Sequence, residues 1–279
     1  MNKSIVIIIL ILLSTNSPAQ LRYPIVGTYK GKSAQGMAIW ENKAFLFNDG
    51  GYCRILNLET SKVERAFYLT SAGNHTHVNA ACFGKEHVYN NRTPIIYISE
   101  YNIPSRCFVE NLNDSASTLV QTIQIMDKGK PVFVQSWIPD NDRDFLYAIA
   151  RLPPPKGEKN TSKVGISKYR LPSLDEGNTI VFSPNECIDF FVVDFASGTQ
   201  GGIIKGKYLY LPTGLQESAR GNFNAERALQ VIDLEKKKLV KRIDLTFVTT
   251  NEPEDIDFYG NKALLFCGQE GGIYEINLK

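Results

Sequence analysis

Two short stretches of the sequence concentrate side chains that could do chemistry. His75-x-His77-x-Asn79 repeats at a period of two, so a β-strand would present all three side chains on one face. Glu254 and Asp255 are adjacent carboxylates at the start of another apolar segment. A pair of carboxylates can cleave a glycosidic bond, whereas histidines and amides favour hydrogen bonding to a ligand. The residue types therefore leave binding and acid–base catalysis both open.

A metal site is the less favoured interpretation of the histidines. The third histidine of the chain, His87, lies at the opposite end of the same predicted strand, so three histidines cannot converge on one zinc ion. An ion site with oxygen ligands from Glu254, Asp255 and Asn79 is the alternative. We predict hydrogen-bonding or structural histidines, with no metal and no cofactor.

These polar residues occupy a repeated position in the chain. In each repeat a polar marker residue begins an apolar strand, which a tight polar turn connects to a second apolar strand. In the first repeat the strands are Ala34–Trp40 and 44–47. Successive markers lie 42, 58, 65 and 54 residues apart. Hairpin units at such intervals indicate a repeat architecture. The five markers are Gln35, His77, Gln135, Gln200 and Glu254.

The repeating unit continues to four strands, which predicts an all-β fold. Four-stranded sheets arranged radially form a β-propeller, and five units predict five blades. The last unit lacks a fourth strand. We expect the N-terminal segment Tyr23–Tyr29 to pair with Ile273–Leu278 and close the ring, because closure hides two sheet edges. A β-sandwich is the alternative, although it does not predict a recurring unit of four strands.

The markers begin the innermost strands, so they should surround one mouth of the central channel. The two longest insertions, 153–163 and 214–227, are predicted to rise on the same face, and long loops on a rigid scaffold often carry function. The alternative is a polar channel that holds structural water. The predicted ligand-binding residues are Gln35, Asp49, His77, Asn79, Glu100, Gln135, Arg151, Gln200, Glu254 and Asp255.

Composition and the N-terminus predict the setting. Residues 1–19 combine a weakly basic start, a short apolar run and small residues before Gln20, which is typical of a secretory signal peptide. We expect one domain over 20–279, located outside the cytoplasm in the periplasm or medium, with no membrane insertion after cleavage. The 31 basic and 29 acidic residues nearly balance, which gives no indication of a nucleic-acid partner. We expect a monomer.

Export permits disulfides, but strand order argues against one pair. Cys82 and Cys107 lie on the first and third strands of one unit, about 9–10 Å apart. A disulfide needs Cα atoms within about 7 Å, so we interpret both as buried thiols. Cys53 and Cys267 lie in neighbouring units, and a disulfide between them stays open.

Two hairpins resemble a known class of exported propellers. Residues 228–240 and 54–63 resemble the "v-i-D-l-x-x-x-k-v-v" hairpin of YVTN-type and quinoprotein-like propellers. The Gln35-Gly36 strand and the hairpin at 57–62 are also similar to the first blade of five-bladed glutaminyl cyclotransferases. That family carries a catalytic glutamate in a Gly-Glu-Gly setting on its second blade. This chain has His77-Val78-Asn79 there, so the resemblance implies the fold and not the activity.

These observations predict an exported propeller that binds a polar ligand, a glycan or a peptide, at the channel mouth without catalysis. The alternative is a hydrolase, lyase or cyclotransferase at the same mouth, using Glu254, Asp255, His77 and Glu100. The sequence leaves open whether the protein is an enzyme.

Overall fold

The computed structural model shows a ring of five antiparallel β-sheets. Side chains alternate between the two faces of each strand, and the apolar ones pack between neighbouring sheets. The five-bladed propeller expected from the repeat is therefore confirmed. The residues that the structure describes are 19–23, 34–72, 77–89, 91–113, 115–154, 156, 163–195, 198–215, 226–246, 248–268 and 272–278.

Blades I and II follow each other in the chain, and each runs from an innermost to an outermost strand. Blade I consists of β2 (Ala34–Trp40), β3 (Lys43–Asn48), β4 (Tyr52–Asn57) and β5 (Lys62–Tyr68). Blade II consists of β6 (Val78–Phe83), β7 (Ile96–Glu100), β8 (Cys107–Leu112), β9 (Ser117–Asp127) and the short β10 (Lys130–Pro131).

Blades III to V complete the ring. Blade III consists of β11 (Ser136–Asp140), β12 (Phe145–Arg151), β13 (Lys163–Arg170) and β15 (Asp189–Asp194). Blade IV consists of β16 (Ile203–Lys205), β17 (Tyr208–Thr213), β18 (Ala228–Asp233) and β19 (Lys238–Asp244). Blade V consists of β20 (Pro253–Tyr259), β21 (Lys262–Cys267), β22 (Gly272–Ile276) and β1 (Ala19–Tyr23).

An N-terminal strand closes blade V, as the incomplete fifth unit predicted, but its bounds differ. β1 pairs antiparallel with β22, and the strand expected from Tyr23 to Tyr29 overlaps it only at Tyr23. Residues 24–33 lie outside the described part of the chain. Arg22 Nε lies 2.7 Å from Glu275 Oε2 on β22. The Tyr23 hydroxyl donates a hydrogen bond of 2.7 Å to the carbonyl of Leu58 in blade I. β1 therefore completes one blade and also ties it to the next.

The outer part of blade III departs from the sequence prediction. The apolar pattern of the sequence predicts the fourth strand of this unit at 179–183, with a further strand at 188–193 as an option. Instead β14 (Thr179–Phe182) joins blade II, parallel to β9, and β15 takes the outer position in blade III. The apolar residues Ile180 and Phe182 explain this, because both are buried in the core shared by blades II and III. The prediction for that strand is wrong, and the extra strand links the two blades.

The cysteines are all unpaired among the described residues. Cys82 and Cys107 are fully buried, as predicted for small core side chains, and Cys82 Sγ lies 3.1 Å from the carbonyl oxygen of Gly202. Cys53 and Cys267, for which a disulfide had stayed open, are also buried free thiols. In the described ranges, no helix is both long and apolar enough to cross a bilayer.

Candidate functional site

Polar side chains at the channel connect the innermost strands of different blades. Asp255 of β20 accepts hydrogen bonds from the backbone N–H of Met37 in blade I (2.9 Å) and of Ala81 in blade II (3.1 Å). Its other oxygen accepts from the N–H of Ile256 at 2.9 Å. Asp257, also on β20, accepts from the N–H of Ile39 at 2.6 Å. Both carboxylates therefore bond the free edge of β2.

The same pattern continues around the ring. Asn79 Nδ2 donates to the carbonyl of Gln135 (3.2 Å) and to Ser136 Oγ (3.0 Å), which joins blades II and III. The Gln135 amide exchanges hydrogen bonds with Thr199, and Gln200 Nε2 donates to Glu252. Two of the five marker side chains, Gln135 and Gln200, therefore carry inter-blade hydrogen bonds. Beside the second marker, Asn79 also makes such a bond.

Two glycines leave room for buried carboxylates at the channel. A Cβ atom on Gly201 would overlap the carboxylate of Asp255, and one on Gly268 would overlap that of Glu254. Glycine is used where another group must approach the backbone closely. Side chains of blade V thus pack directly against the backbone beside the channel.

A cavity of about 1050 Å³ opens at this mouth and takes lining residues from all five blades or the segments that lead into them. It is a concave site in which several polar groups converge, as ligand sites usually are. Its polar lining residues are Gln35, His77, Asn79, Gln135, Arg151, Ser167, Thr199, Gln200 and Glu252. Gln35 Oε1 is buried without a hydrogen-bond partner in the described structure.

Aromatic rings form one wall of the cavity. The His77 and Tyr101 ring centroids are 5.4 Å apart, and Tyr101 meets Phe133 edge-on at 5.6 Å. Tyr101 keeps 38% of its surface exposed, although it is a large ring. Such a ring series offers flat surfaces on which a ligand can pack.

Six of the ten predicted ligand-binding residues line this cavity: Gln35, His77, Asn79, Gln135, Arg151 and Gln200. The described lining does not include the other four, Asp49, Glu100, Glu254 and Asp255. The Glu100 carboxylate forms a two-point ion pair with Arg106, at 2.8 and 3.1 Å, and keeps only 2% of its surface exposed. The two insertions expected on this face contribute Pro153, Pro154 and Leu215, and much of each insertion lies outside the described residues.

Among the described lining residues the acidic group is Glu252, which is not one of the ten predicted ligand-binding residues. Glu254 follows two residues later on β20 and is almost fully buried, and its Oε2 has no hydrogen-bond partner among the described residues. Burial raises the pKa of Glu252 to about 7, and the hydrogen bond from Gln200 opposes this shift. Burial also raises the pKa of Glu254, and the neighbouring carboxylates of Glu252, Asp255 and Asp49 add to the effect. No simple alternation could have selected Glu252, because it precedes β20 and the pairing of β20 with β21 shifts register between Pro253 and Asp255.

The histidine motif divides between described and undescribed residues. His77 lines the cavity, His75 lies outside the described part, and His87 is exposed beside Trp40, with ring centroids 6.2 Å apart. Within the described ranges, no three His, Cys, Asp or Glu side chains form a cluster that could hold a metal ion.

Comparison with known proteins supports the fold alone. No protein-family model matches the sequence, and no curated protein matches it. The fold is similar to the crystal structure of Myxococcus xanthus glutaminyl cyclase, with a TM-score of 0.54 and 12% identity over 93% of this chain and 95% of that one. The protein is thus a five-bladed β-propeller whose structural neighbours include a cyclotransferase.

Two further structures match this chain with lower TM-scores. The β-propeller domain of Myceliophteria thermophila Cps50 (Swd1) has a TM-score of 0.44 and 11% identity over 88% of this chain and 84% of that one. Kuenenia stuttgartiensis hydrazine synthase has a TM-score of 0.43 and 10% identity. That match covers 84% of this chain and 61% of the hydrazine synthase chain.

Proposed function

We propose that this protein is an exported propeller that binds a polar ligand, a glycan or a peptide, in the mouth cavity without catalysing a reaction. The observation that carries the proposal is a cavity of about 1050 Å³ whose lining comes from all five blades or the segments next to them. A scaffold needs inter-blade hydrogen bonds, but it does not need an open cavity of ligand size beside them.

The mouth offers both kinds of contact that such a ligand uses. His77, Gln35 and Arg151 present polar groups, and Tyr101 presents a partly exposed ring next to them. Amides and a guanidinium can bond the hydroxyls of a sugar or the amides of a peptide. An exposed ring adds apolar contact with either ligand.

A binding screen tests this proposal. The protein is titrated by calorimetry with a panel of oligosaccharides and short peptides, and each hit is repeated on His77→Ala and on Lys62→Gln. His77 lines the cavity, whereas Lys62 is exposed on the outermost strand of blade I. We expect His77→Ala to weaken binding at least fivefold and Lys62→Gln to leave it unchanged. Equal affinity in all three proteins would place the ligand elsewhere and overturn the proposal.

A second candidate function is acid–base catalysis at the same mouth, as in a hydrolase, lyase or cyclotransferase. The observation that favours it is Glu252, a cavity carboxyl whose pKa burial raises to about 7. A group with a pKa near neutrality can both donate and accept a proton under ordinary conditions. An enzyme predicts turnover of a bound ligand that Glu252→Gln abolishes while binding is retained. Absence of any product after prolonged incubation would leave binding as the function.

The proposed export is tested separately. Expression with the complete N-terminus, followed by N-terminal sequencing of the secreted or periplasmic protein, should give a chain that begins at Gln20. Cleavage there would remove only Ala19 from β1, so blade closure would survive processing. A cytoplasmic protein that keeps Met1 would contradict export.

A further inference from the structure

The mouth cavity extends into an apolar cleft between blades II and III. Blade III lines the cavity with small side chains, namely Ala148 and Ala150 of β12 and Gly165 and Ser167 of β13. These residues are paired across the two strands, Ala148 opposite Ser167 and Ala150 opposite Gly165, so one continuous patch of the blade lacks large side chains. Four small neighbours on one face leave space that larger residues would fill.

The cleft has apolar walls on its other sides. Ile125, Val132 and Val134 line it from the blade II side. The Phe190 ring packs across Gly165, where an added Cβ would come within 2.9 Å of Phe190 Cε2. A cavity wall of this kind offers water few hydrogen-bond partners, so it favours an apolar occupant.

One cation, Arg151, follows directly after this patch at the end of β12 and lines the cavity. Among the described residues, no carboxylate forms an ion pair with Arg151. Gly198 lies beside its guanidinium, and a Cβ there would come within 2.8 Å of Arg151 Nη2. An arginine in a partly buried site binds a carboxylate strongly and with two-point geometry.

We propose that the ligand is an amphipathic carboxylate, whose apolar chain occupies the cleft between blades II and III and whose carboxylate binds Arg151. This inference rests on the proposed binding of a ligand at the mouth, and it replaces the glycan or peptide named there with a more apolar class, of which a peptide with a free C-terminus is one member. It disfavours an uncharged oligosaccharide, which has no apolar body to fill the cleft. A fatty acid and a peptide with an apolar C-terminal residue share the required chemistry.

Fluorescence titration tests the proposal with defined probes. The anionic dye 1-anilinonaphthalene-8-sulfonate is bound to the folded protein and then displaced with dodecanoate, with acetyl-Ala-Ala-Leu, or with the C-terminal amide of that peptide. We expect one of the two carboxylates to displace the dye, which also identifies its source. We expect the amide to compete at least tenfold more weakly, because it cannot form a charge-assisted hydrogen bond with the Arg151 guanidinium.

Matched variants locate the site. Arg151→Gln removes the charge, and Ala150→Leu fills the cleft. As controls, Lys62→Gln also removes a positive charge and Ala116→Leu also enlarges an alanine, both at exposed positions. We expect the first two to weaken binding of the carboxylate at least tenfold and the controls to leave it within twofold. Melting curves confirm that each variant is folded. If Ala150→Leu does not fold, Arg151→Gln and the amide still decide the outcome.

The results separate the two proposals. If neither carboxylate binds but an oligosaccharide binds in a manner that depends on His77, the amphipathic ligand is overturned and ligand binding at the mouth stands. The role of Arg151 is overturned if the protein binds the carboxylate and the amide with equal affinity and Arg151→Gln binds the carboxylate as tightly as the unchanged protein does. If no probe or panel member binds, both proposals fail.

Discussion

Asp255 is the polar residue on which the ring should depend most. The Asp255→Ala variant removes the acceptor for the backbone N–H of Met37 and of Ala81, which belong to two other blades. Both residues are buried, at 0% and 2% exposure, so their N–H groups would lose their partner without free access to bulk water. A buried donor left without a partner costs about 1–3 kcal/mol. The two inter-blade donors alone predict a loss of roughly 2–6 kcal/mol in the free energy of unfolding, and the buried N–H of Ile256 loses its bond to Asp255 as well.

The Asp257→Ala variant provides a graded control on the same strand. Asp257 accepts one inter-blade hydrogen bond, from Ile39, where Asp255 accepts two. We therefore expect the loss in Asp257→Ala to be about half that in Asp255→Ala. Urea unfolding at pH 7, followed by far-ultraviolet circular dichroism, measures both. A loss below about 0.5 kcal/mol in Asp255→Ala, the usual size for a surface substitution, would refute the view that this carboxylate holds three blades together.

Three further predictions concern residues around the channel. Gly268→Ala should lower stability by about 1–3 kcal/mol in urea unfolding, because its Cβ would overlap the Glu254 carboxylate; an unchanged midpoint would contradict that packing. Because burial raises the pKa of Glu252 to about 7, the folded protein holds that proton more tightly than the unfolded chain does. The free energy of unfolding should therefore fall as pH rises from about 4.5 to about 7. Glu252→Gln should reduce this slope, measured by urea unfolding at several pH values, by up to about 1.4 kcal/mol per pH unit; an unaltered slope would contradict the shift. Cys82 and Cys107 should both react with a thiol reagent after unfolding without reductant, and a missing thiol would indicate a disulfide.

The fold could be predicted because its signals are local and repeated. Each hairpin is recognisable from two apolar strands and the polar turn between them. The missing fourth strand of the last unit predicted an N-terminal partner for β22. The bounds of the closing strand could not be predicted, because the residue types of 19–23 and of the β-branched segment after it are both compatible with a strand. The pairing of β14 with blade II also could not be predicted from the sequence. It depends on the space that Ile180 and Phe182 fill between blades II and III.

The candidate site was only partly predictable, for a similar reason. The repeat located the mouth, and Gln35, His77 and Arg151 do line the cavity. The sequence could not distinguish which acid faces the cavity and which is buried, because Glu252 precedes β20 and a register shift between Pro253 and Asp255 interrupts the alternation of side chains. The apolar cleft was missed because small residues such as Ala150 carry no chemical signal, and only their juxtaposition across two strands opens the space.

The central claim is that the mouth cavity binds a ligand, and a crystal structure with the tightest probe from the two titrations tests it most directly. We expect the probe to lie in the cavity, in contact with Arg151 and with the ring of His77 or Tyr101. A probe that occupies the outer surface of the blades while the cavity holds only solvent would contradict it.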